Sequence, residues 1–481
     1  MTSITSTRRD GAHTAKGKGG ALTALVLALV LAGCSTAVTL DEGRLPTTPA
    51  QFKEGDGRWT VAAPAESQQR GTWWQAFADP VLTELVERAG RDNTSIQVAA
   101  ARLAQARAVL GATDANRSPQ LGLSGGAVRQ TVAGAGPQAG TLVSAGANLS
   151  YELDVFGRLS RESQAASLDV RSREALLQSA RLLAQAEVAQ SYFALRALDV
   201  ERGIVRDTVS AYGNTLRLVQ RRFEAGDVAE LDVQRVRTEL ASTESEAFAL
   251  DARRATLEHA IAVLVGTPAS TFAIEPAAWN SALPMVPAGV PSTVLARRPD
   301  VSAAMSDLQA AQARVGAAKA AWFPSVSLTG AAGFASPELS DVFKWSARAW
   351  SVGALLSLPI IDGGRRRSAV DSANAQLDAN VASYRERVLV AFQEVEDELA
   401  TLRLLSDQAG AQGRAIASAT RATTLSESRY RNGLVSQLDL LDAQRSELRS
   451  RRQAVQVQAA QYQATVGLIR ALGGGWTVQA S

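Results

Sequence analysis

Apolar and polar positions follow two rhythms along the chain, one extended and one helical, and each rhythm occurs twice. Val143, Ala145, Ala147, Leu149, Tyr151 and Leu153 alternate with Ser144, Gly146, Asn148, Ser150 and Glu152. A period of two predicts a strand with one apolar and one polar face. The pattern returns as Trp350, Val352, Ala354, Leu356, Leu358 and Ile360 against Ser351, Gly353 and Ser357, with Leu355 as the exception. Each run has a partner segment before it. Gln120 to Val132 alternates in its first half only, and in Ser325 to Ala335 the residues Val326, Leu328 and Phe334 share a face. The lengths suit transmembrane strands of about 9 to 11 residues. Tyr151, Phe334 and Trp350 suit the aromatic girdles at the membrane interfaces.

The rest of the chain predicts helix. Pro80 to Arg117 and Asp300 to Phe323 lack internal proline and are rich in Ala, Leu, Gln and Arg, which favour helix intrinsically. Pro80 and Pro299 stand where helix starts tolerate proline, and Pro119 and Pro324 end both segments. Gly157 and Gly364 each open a proline-free run of about 65 residues, roughly 100 Å of helix at 1.5 Å per residue. Breaks at Gly226 and Gly433 follow, then further helix to Gly266 and Gly473.

The two halves are copies of one unit. Arg222-Phe223-Glu224-Ala225-Gly226 with Leu231-Asp232-Val233 recurs, 207 residues later, as Arg429-Tyr430-Arg431-Asn432-Gly433 with Leu438-Asp439-Leu440. Glu187-Val188 and Glu394-Val395 keep that offset, as do Gly157-Arg158 and Gly364-Arg365, whereas Pro119 and Pro324 stand 205 apart. A loop between Pro119 and Gly157 can absorb the difference. So long a period is a duplication and not a solenoid. Four strands cannot close, because outer-membrane barrels begin at about eight. The chain therefore has to pool strands with copies of itself, and cyclic symmetry makes that closure simple to encode. A dimer, a trimer or a larger ring all satisfy this condition.

Charge and composition narrow the function. The chain of 481 residues carries a net charge of +3, and Arg8, Arg9, Lys16 and Lys18 less Asp10 account for all of it. No basic stripe remains for a nucleic acid. Two histidines and one cysteine leave no disulfide within the chain and almost no means of building a His/Cys metal cluster. His259 has no Asp/His partner nearby for a triad. Gly473-Gly474-Gly475 lacks the Lys-Ser/Thr of a phosphate loop and reads as a helix stop. No enzyme activity and no cofactor are expected.

The N-terminal residues read as an export signal. Scattered positive charge precedes the apolar stretch Ala21 to Ala32, which is too short to span a bilayer. Leu31-Ala32-Gly33-Cys34 then resembles the bacterial lipoprotein processing box, so Cys34 is the expected lipidation site. Acylation with more than one chain gives stable anchoring, and Ser35 in place of Asp favours passage to the outer membrane. The domains expected are a signal peptide over 1–33, a lipidated segment over 34–79 and a first repeat over 80–266 with strands at about 119–153. A linker over 267–298, a second repeat over 299–473 with strands at about 324–360, and a tail over 474–481 complete the chain.

Several motifs together carry a family resemblance. They are Trp73-Trp74-Gln75-Ala76-Phe77-Ala78-Asp79-Pro80, Tyr151-Glu152-Leu153-Asp154-Val155-Phe156-Gly157-Arg158, Arg297-Arg298-Pro299-Asp300, Phe323-Pro324-Ser325-Val326-Ser327-Leu328 and Ala471-Leu472-Gly473-Gly474-Gly475-Trp476. In this order they resemble the outer-membrane efflux factors of the TolC/OprM type, lipoprotein NodT subgroup, over nearly everything after residue 70. The resemblance implies a mixed α and β membrane protein: a trimeric twelve-stranded outer-membrane β-barrel, four strands per chain, continued by a long periplasmic α-helical barrel. It implies a passive exit duct for small molecules, working with a periplasmic adaptor protein and an inner-membrane RND-type pump. A duct for type I protein secretion and a non-conducting structural lipoprotein are the alternatives.

The resemblance also assigns residues. Leu438 and Asp442 match the apolar and acidic rings of the periplasmic aperture, Asp439 a second acidic position, and Tyr430 a gating tyrosine with Asp232 as its cross-helix partner. Val435 stands where TolC-type proteins have an arginine. Gly226, Val228, Gly433 and Val435 fall on the turns that meet the adaptor. Threefold symmetry would gather three Asp442 carboxylates at the axis, where they attract cations.

Overall fold

The computed structural model describes residues 43, 46–49, 51–54, 71–131, 139–286, 294–295 and 297–474. The expected signal peptide, Cys34 and most of the tail lie outside them. Seven long helices and four strands occur among the described residues, in an order that repeats. Helices α1 (Pro80–Asp92) and α2 (Thr94–Ala115) lead to strands β1 (Gln120–Thr131) and β2 (Ala139–Leu153), then to α3 (Arg158–Glu224) and α4 (Glu230–Leu264). The second copy runs α5 (Pro299–Ala320), β3 (Ser325–Ser336), β4 (Arg348–Ser357), α6 (Arg365–Arg431) and α7 (Gln437–Ala471).

The offsets read from sequence are the offsets of the elements. α2 and α5, like β1 and β3, stand 205 residues apart at both ends, and α3/α6 and α4/α7 stand 207 apart at both ends. The two extra residues therefore fall in the connection between the strands of each pair. α3 and α6 have 67 residues each, about 100 Å of helix. Helix ends repeat as well. At Gly226 and Gly433 the chain turns with φ of 81° and 70°. The following residue donates back to the carbonyl five positions earlier, Asp227 N to Arg222 O and Leu434 N to Arg429 O, both at 2.8 Å. Glycine takes this left-handed conformation without a Cβ penalty and frees the last carbonyls to be satisfied.

One expected helix is two. The continuous Pro80 to Arg117 helix breaks at Asn93, whose Oδ1 accepts from Ser95 N at 2.9 Å and Ile96 N at 3.2 Å while its Nδ2 donates to Leu264 O at 2.8 Å. An Asn side chain that caps one helix start and also bonds a second helix end fixes an interruption that propensity does not show. β4 likewise ends at Ser357, before the Leu358 and Ile360 of the alternating run. Pro359 lacks the N–H that a further ladder bond needs.

The chain divides into two compact units, which do not coincide with the two copies. One contains residues 112–165 and 311–376 and holds the sheet. Its strands lie in the order β1-β2-β3-β4, all antiparallel. The register aligns the apolar positions of all four strands. Leu121 pairs with Leu149, Tyr151 with Leu328, Ala332 with Trp350, and Val326 with both Leu153 and Leu356. The opposite face carries Ser124, Asn148 and Ser150, then Ser327, Thr329 and Ser351, with Leu355 and the paired Val128 and Leu142 as its large apolar exceptions. Leu123, Trp350 and Val352 on the apolar face are 88%, 79% and 83% exposed. β1 and β4 are edges, each hydrogen-bonded on one side only.

The second unit holds residues 41–111, 166–310 and 377–481, and its core explains the family motifs. Trp73, Trp74 and Phe77 pack with Phe193 and Tyr462 in one aromatic cluster, the Phe77 and Phe193 ring centres 4.9 Å apart. Asp79 Oδ1 accepts from Val81 N and Leu82 N to cap α1, while Oδ2 accepts from Tyr192 Oη at 2.8 Å and Ser281 Oγ at 2.7 Å. The buried Arg298 pairs with Asp300 at 2.7 Å and Glu394 at 2.5 Å and donates to Ala471 O at 3.1 Å. Gly473 and Gly474 end α7 with positive φ, and a Cβ on Gly473 would lie 2.8 Å from Arg297 O. They are the helix stop expected from the sequence.

Two glycines face one another across β2 and β3. A Cβ on Gly146 would stand 2.8 Å from Ala332 O, and one on Gly333 would overlap Ala145 O. Gly330, by contrast, has nothing nearer than Leu149 Cβ at 3.7 Å. Gly333→Val should therefore cost at least the roughly 1–3 kcal/mol of overpacking and cut the folded fraction several-fold on heat-modifiability gels. Gly330→Ala should fold like the wild type.

Candidate functional site

The two breaks α3–α4 and α6–α7 share a small core of Tyr212, Val219, Val233, Val236, Tyr430, Leu440 and Leu441. α7 places Gln437, Leu440, Leu441 and Gln444 inward at helical spacing. Leu438 and Asp442, four residues apart, therefore share the outward face, with Leu438 43% exposed and the Asp442 side chain 62% exposed. Val228 and Val435 are half-buried against the core, while Leu434 beside them is 66% exposed. No heavy atom lies within 4 Å of a Cβ built on Gly226 or Gly433, so open space flanks both turns.

The duplication does not leave the two turns equivalent. Ser436 begins α7 with a reciprocal cap: its Oγ accepts from Asp439 N at 3.3 Å, and Asp439 Oδ2 accepts from Ser436 N at 2.9 Å and Ser436 Oγ at 2.7 Å. Hydrogen bonds from Ser436 hold the Asp439 carboxyl below its ordinary range. At the matching place in copy one stands Ala229, which offers no side-chain cap. Asp232, the counterpart of Asp439, instead lies 3.5 Å from Arg235. Tyr430 is buried where its counterpart Phe223 is 43% exposed, and the Arg222 guanidinium sits 5.3 Å from its ring centre. Burial raises the Tyr430 hydroxyl, Arg222 opposes the rise and Asp232 adds to it.

Arg445 was not among the residues singled out, and it ties the site together. It bonds Glu239 of α4 and lies 3.3 Å from Asp442 on its own helix. Three-residue spacing from Asp442 was the available signal in the sequence, but the reach to Glu239 depends on the packing of α7 on α4. Above the pair, Tyr212 is buried, and its hydroxyl is pushed up to about 12, chiefly by burial. Glu398 of α6 also escaped sequence reasoning. Its carboxylate packs where a Gly467 Cβ would be. Burial pushes it up to about 7, Arg470 pulls it down, and Asp397 and Glu394 add to the rise. Among the described residues no group of three or more His, Cys, Asp or Glu side chains could hold a metal ion, and no helix is long and apolar enough to cross a membrane.

The family profile described as outer membrane efflux protein matches twice, over residues 85–267 and 290–474. The chain belongs to that family. It is 32% identical over 460 residues to the cation efflux system protein CusC of Escherichia coli, covering 94% of this chain and 97% of that protein. It is 32% identical over 468 residues to the probable efflux pump outer membrane protein TtgC of Pseudomonas putida, covering 95% and 96%. Among solved structures, the outer-membrane channel OprN superposes with a TM-score of 0.84 at 30% identity, covering 91% of this chain and 99% of that one. The expected fold class is borne out: the chain combines a strand set for the trimeric outer-membrane barrel with a helical-barrel part and is built from tandem copies. The chain is an outer-membrane efflux duct with a large periplasmic helical part.

Two outcomes follow. Ser436→Ala and Asp439→Ala remove the same reciprocal cap, typically about 1 kcal/mol, so each should speed amide exchange over residues 436–441 and the double variant should add little further. Glu398 has a folded pKa above its unfolded value of 4.5, so its contribution to stability is full below that value and fades as pH rises through about 7. Warming scans should show the wild type losing more Tm between about pH 5 and about pH 8 than Glu398→Gln does.

Proposed function

We propose that three copies of the chain join their sheets into one twelve-stranded barrel, and that the α3–α4 and α6–α7 turns form the constriction of the periplasmic tunnel. The observation that carries the gate is the outward Leu438 and Asp442 pair on α7, beside a tyrosine, Tyr430, turned inward in one copy alone. Symmetry converts each residue into a ring, Leu438 narrowing the path and Asp442 charging it. Carboxylates held close together draw cations in. Asp439 is occupied by its cap, so Asp442 supplies the acidic ring and Asp439 holds α7 at the turn. Arg445, shared by Asp442 and Glu239, restrains the closed position, and Tyr430 with Asp232 lies at the junction that opening would disturb.

The turns themselves serve as docking grooves for a periplasmic adaptor. Gly226 and Gly433 leave the backbone bare, Val228 and Val435 set the depth of each groove, and Leu434 offers an exposed apolar contact. An inner-membrane pump of the RND type supplies the energy, and the duct conducts passively, without catalysis. Acylation of Cys34 tethers the trimer to outer-membrane lipid. CusC is named for cation efflux and TtgC for an efflux pump, and the duct's own residues constrain only the width and charge of what passes.

Planar-bilayer conductance tests the gate. Wild-type protein should show small, cation-selective openings that divalent ions block, and Leu438→Ala/Asp442→Ala should conduct several-fold more with the block lost. Equal conductance in both would move the gate elsewhere, and no conductance in either would return the structural lipoprotein to consideration. A second outcome concerns docking: Val435→Trp should lower crosslinking to the adaptor while the trimer persists on gels, and unchanged crosslinking would remove the groove.

A further inference from the structure

The connection between β3 and β4 carries large apolar side chains that neither the sheet nor the gate uses. Leu339, Phe343 and Trp345 are 74%, 75% and 74% exposed, while Val342 among them is buried. The segment is built of two short 3-10 turns, Leu339–Asp341 and Trp345–Ala347. Backbone bonds close them, Asp341 N to Glu338 O at 3.1 Å and Ala347 N to Lys344 O at 2.9 Å, and a Lys344 to Asp341 ion pair of 2.7 Å crosses between them.

Ring contacts decide which side of the sheet this segment occupies. Phe343 meets Phe334 edge-on with centres 5.9 Å apart, and the Arg348 guanidinium lies 3.7 Å from the Trp345 ring centre. Phe334 and Arg348 are direct partners in the β3–β4 register and belong to the apolar face. The exposed apolar residues of the connection thus extend that face at the strand ends away from α5 and α6. In copy one the corresponding stretch, Val132 to Gln138, has no aromatic and no charged residue, so each chain has one such feature.

We propose that the β3–β4 connection is an interfacial clasp, seating Leu339, Phe343 and Trp345 in the outer leaflet at the boundary between headgroups and acyl chains. Continuity with the lipid-facing surface is what selects a lipid occupant, and the proposal rests on the outer-membrane barrel reading. An indole with its polar edge outward suits that depth. Lys344 and Arg348 have long stems that let their charges reach the phosphate level while the stems stay in apolar surroundings. The clasp fixes the barrel's height in the leaflet at three points around its rim.

Tryptophan emission from the full chain in phosphatidylethanolamine/phosphatidylglycerol vesicles tests it, with lipids brominated near the headgroup as one quencher and aqueous acrylamide as the other. The emission lost in Trp345→Phe should be quenched several-fold more by the brominated lipid than by acrylamide. Phe343→Trp in that background should restore a signal with the same preference. Preference for acrylamide would place the clasp in water, and quenching by neither would mean that a neighbouring copy covers it; both overturn the proposal. Trp350 on β4 separates the two levels of the argument. If the emission lost in Trp350→Phe is lipid-quenched and that of Trp345 is not, only the clasp fails; if Trp350 also escapes the lipid, the membrane reading fails with it.

Discussion

The two free edges of the four-stranded sheet govern everything else in this chain. β1 and β4 each leave a row of backbone N–H and C=O groups without partners, and the sheet's apolar face commits it to lipid. Inside a bilayer each unsatisfied backbone group costs several kcal/mol, so an open sheet is excluded there and a closed one is required. One chain cannot close on itself with four strands. Closure by symmetric copies joins β4 of one to β1 of the next, which satisfies both edges with a single kind of contact. The Gly146 and Gly333 pair allows the backbones of β2 and β3 to approach on the polar side, as strong sheet curvature demands.

Duplication supplies the framework on the periplasmic side, and divergence between the copies supplies the specialisation. Matching glycines end matching helices with the same hydrogen bonds, so the walls repeat. At the turns the chemistry differs: Phe223 against Tyr430, Ala229 against Ser436, Arg235 against Asp442. Each change gives copy two a feature that copy one lacks: a hydroxyl-bearing ring beside a guanidinium, a capped helix start, and an acidic charge where copy one carries a basic one. The copies thus differ at the turns by a few departures from an internal symmetry that itself serves the architecture.

Much of this was legible in the residues. The alternation in Val143 to Leu153 reported the lipid-facing side because strand periodicity is local, and the pairing register extended that face to β1, whose own alternation covers its first half only. Glycines at fixed offsets reported the helix ends because positive φ is nearly their own conformation. Asn93 hid its helix break because the bond that fixes it reaches Leu264 O, 171 residues away. Arg445 and Glu398 were hidden for the same reason: the first matters through Glu239 and the second through Gly467, contacts made by packing and not by spacing. Asp439 was read as part of the aperture, whereas its bonds to Ser436 show a capping duty that the Ser-x-x-Asp spacing already permitted.

The central claim is that sheets of separate chains close edge to edge. A cysteine at Ser124 in β1, combined in turn with cysteines across residues 349–353 of β4, tests it directly in membranes. Within one chain these strands are separated by β2 and β3, about 14 Å at the usual strand spacing, too far for a disulfide. Oxidation should give a covalent ladder that ends at three chains for at least one β4 position. A ladder ending at two or four chains, or no product between chains at any position, would contradict the trimeric barrel.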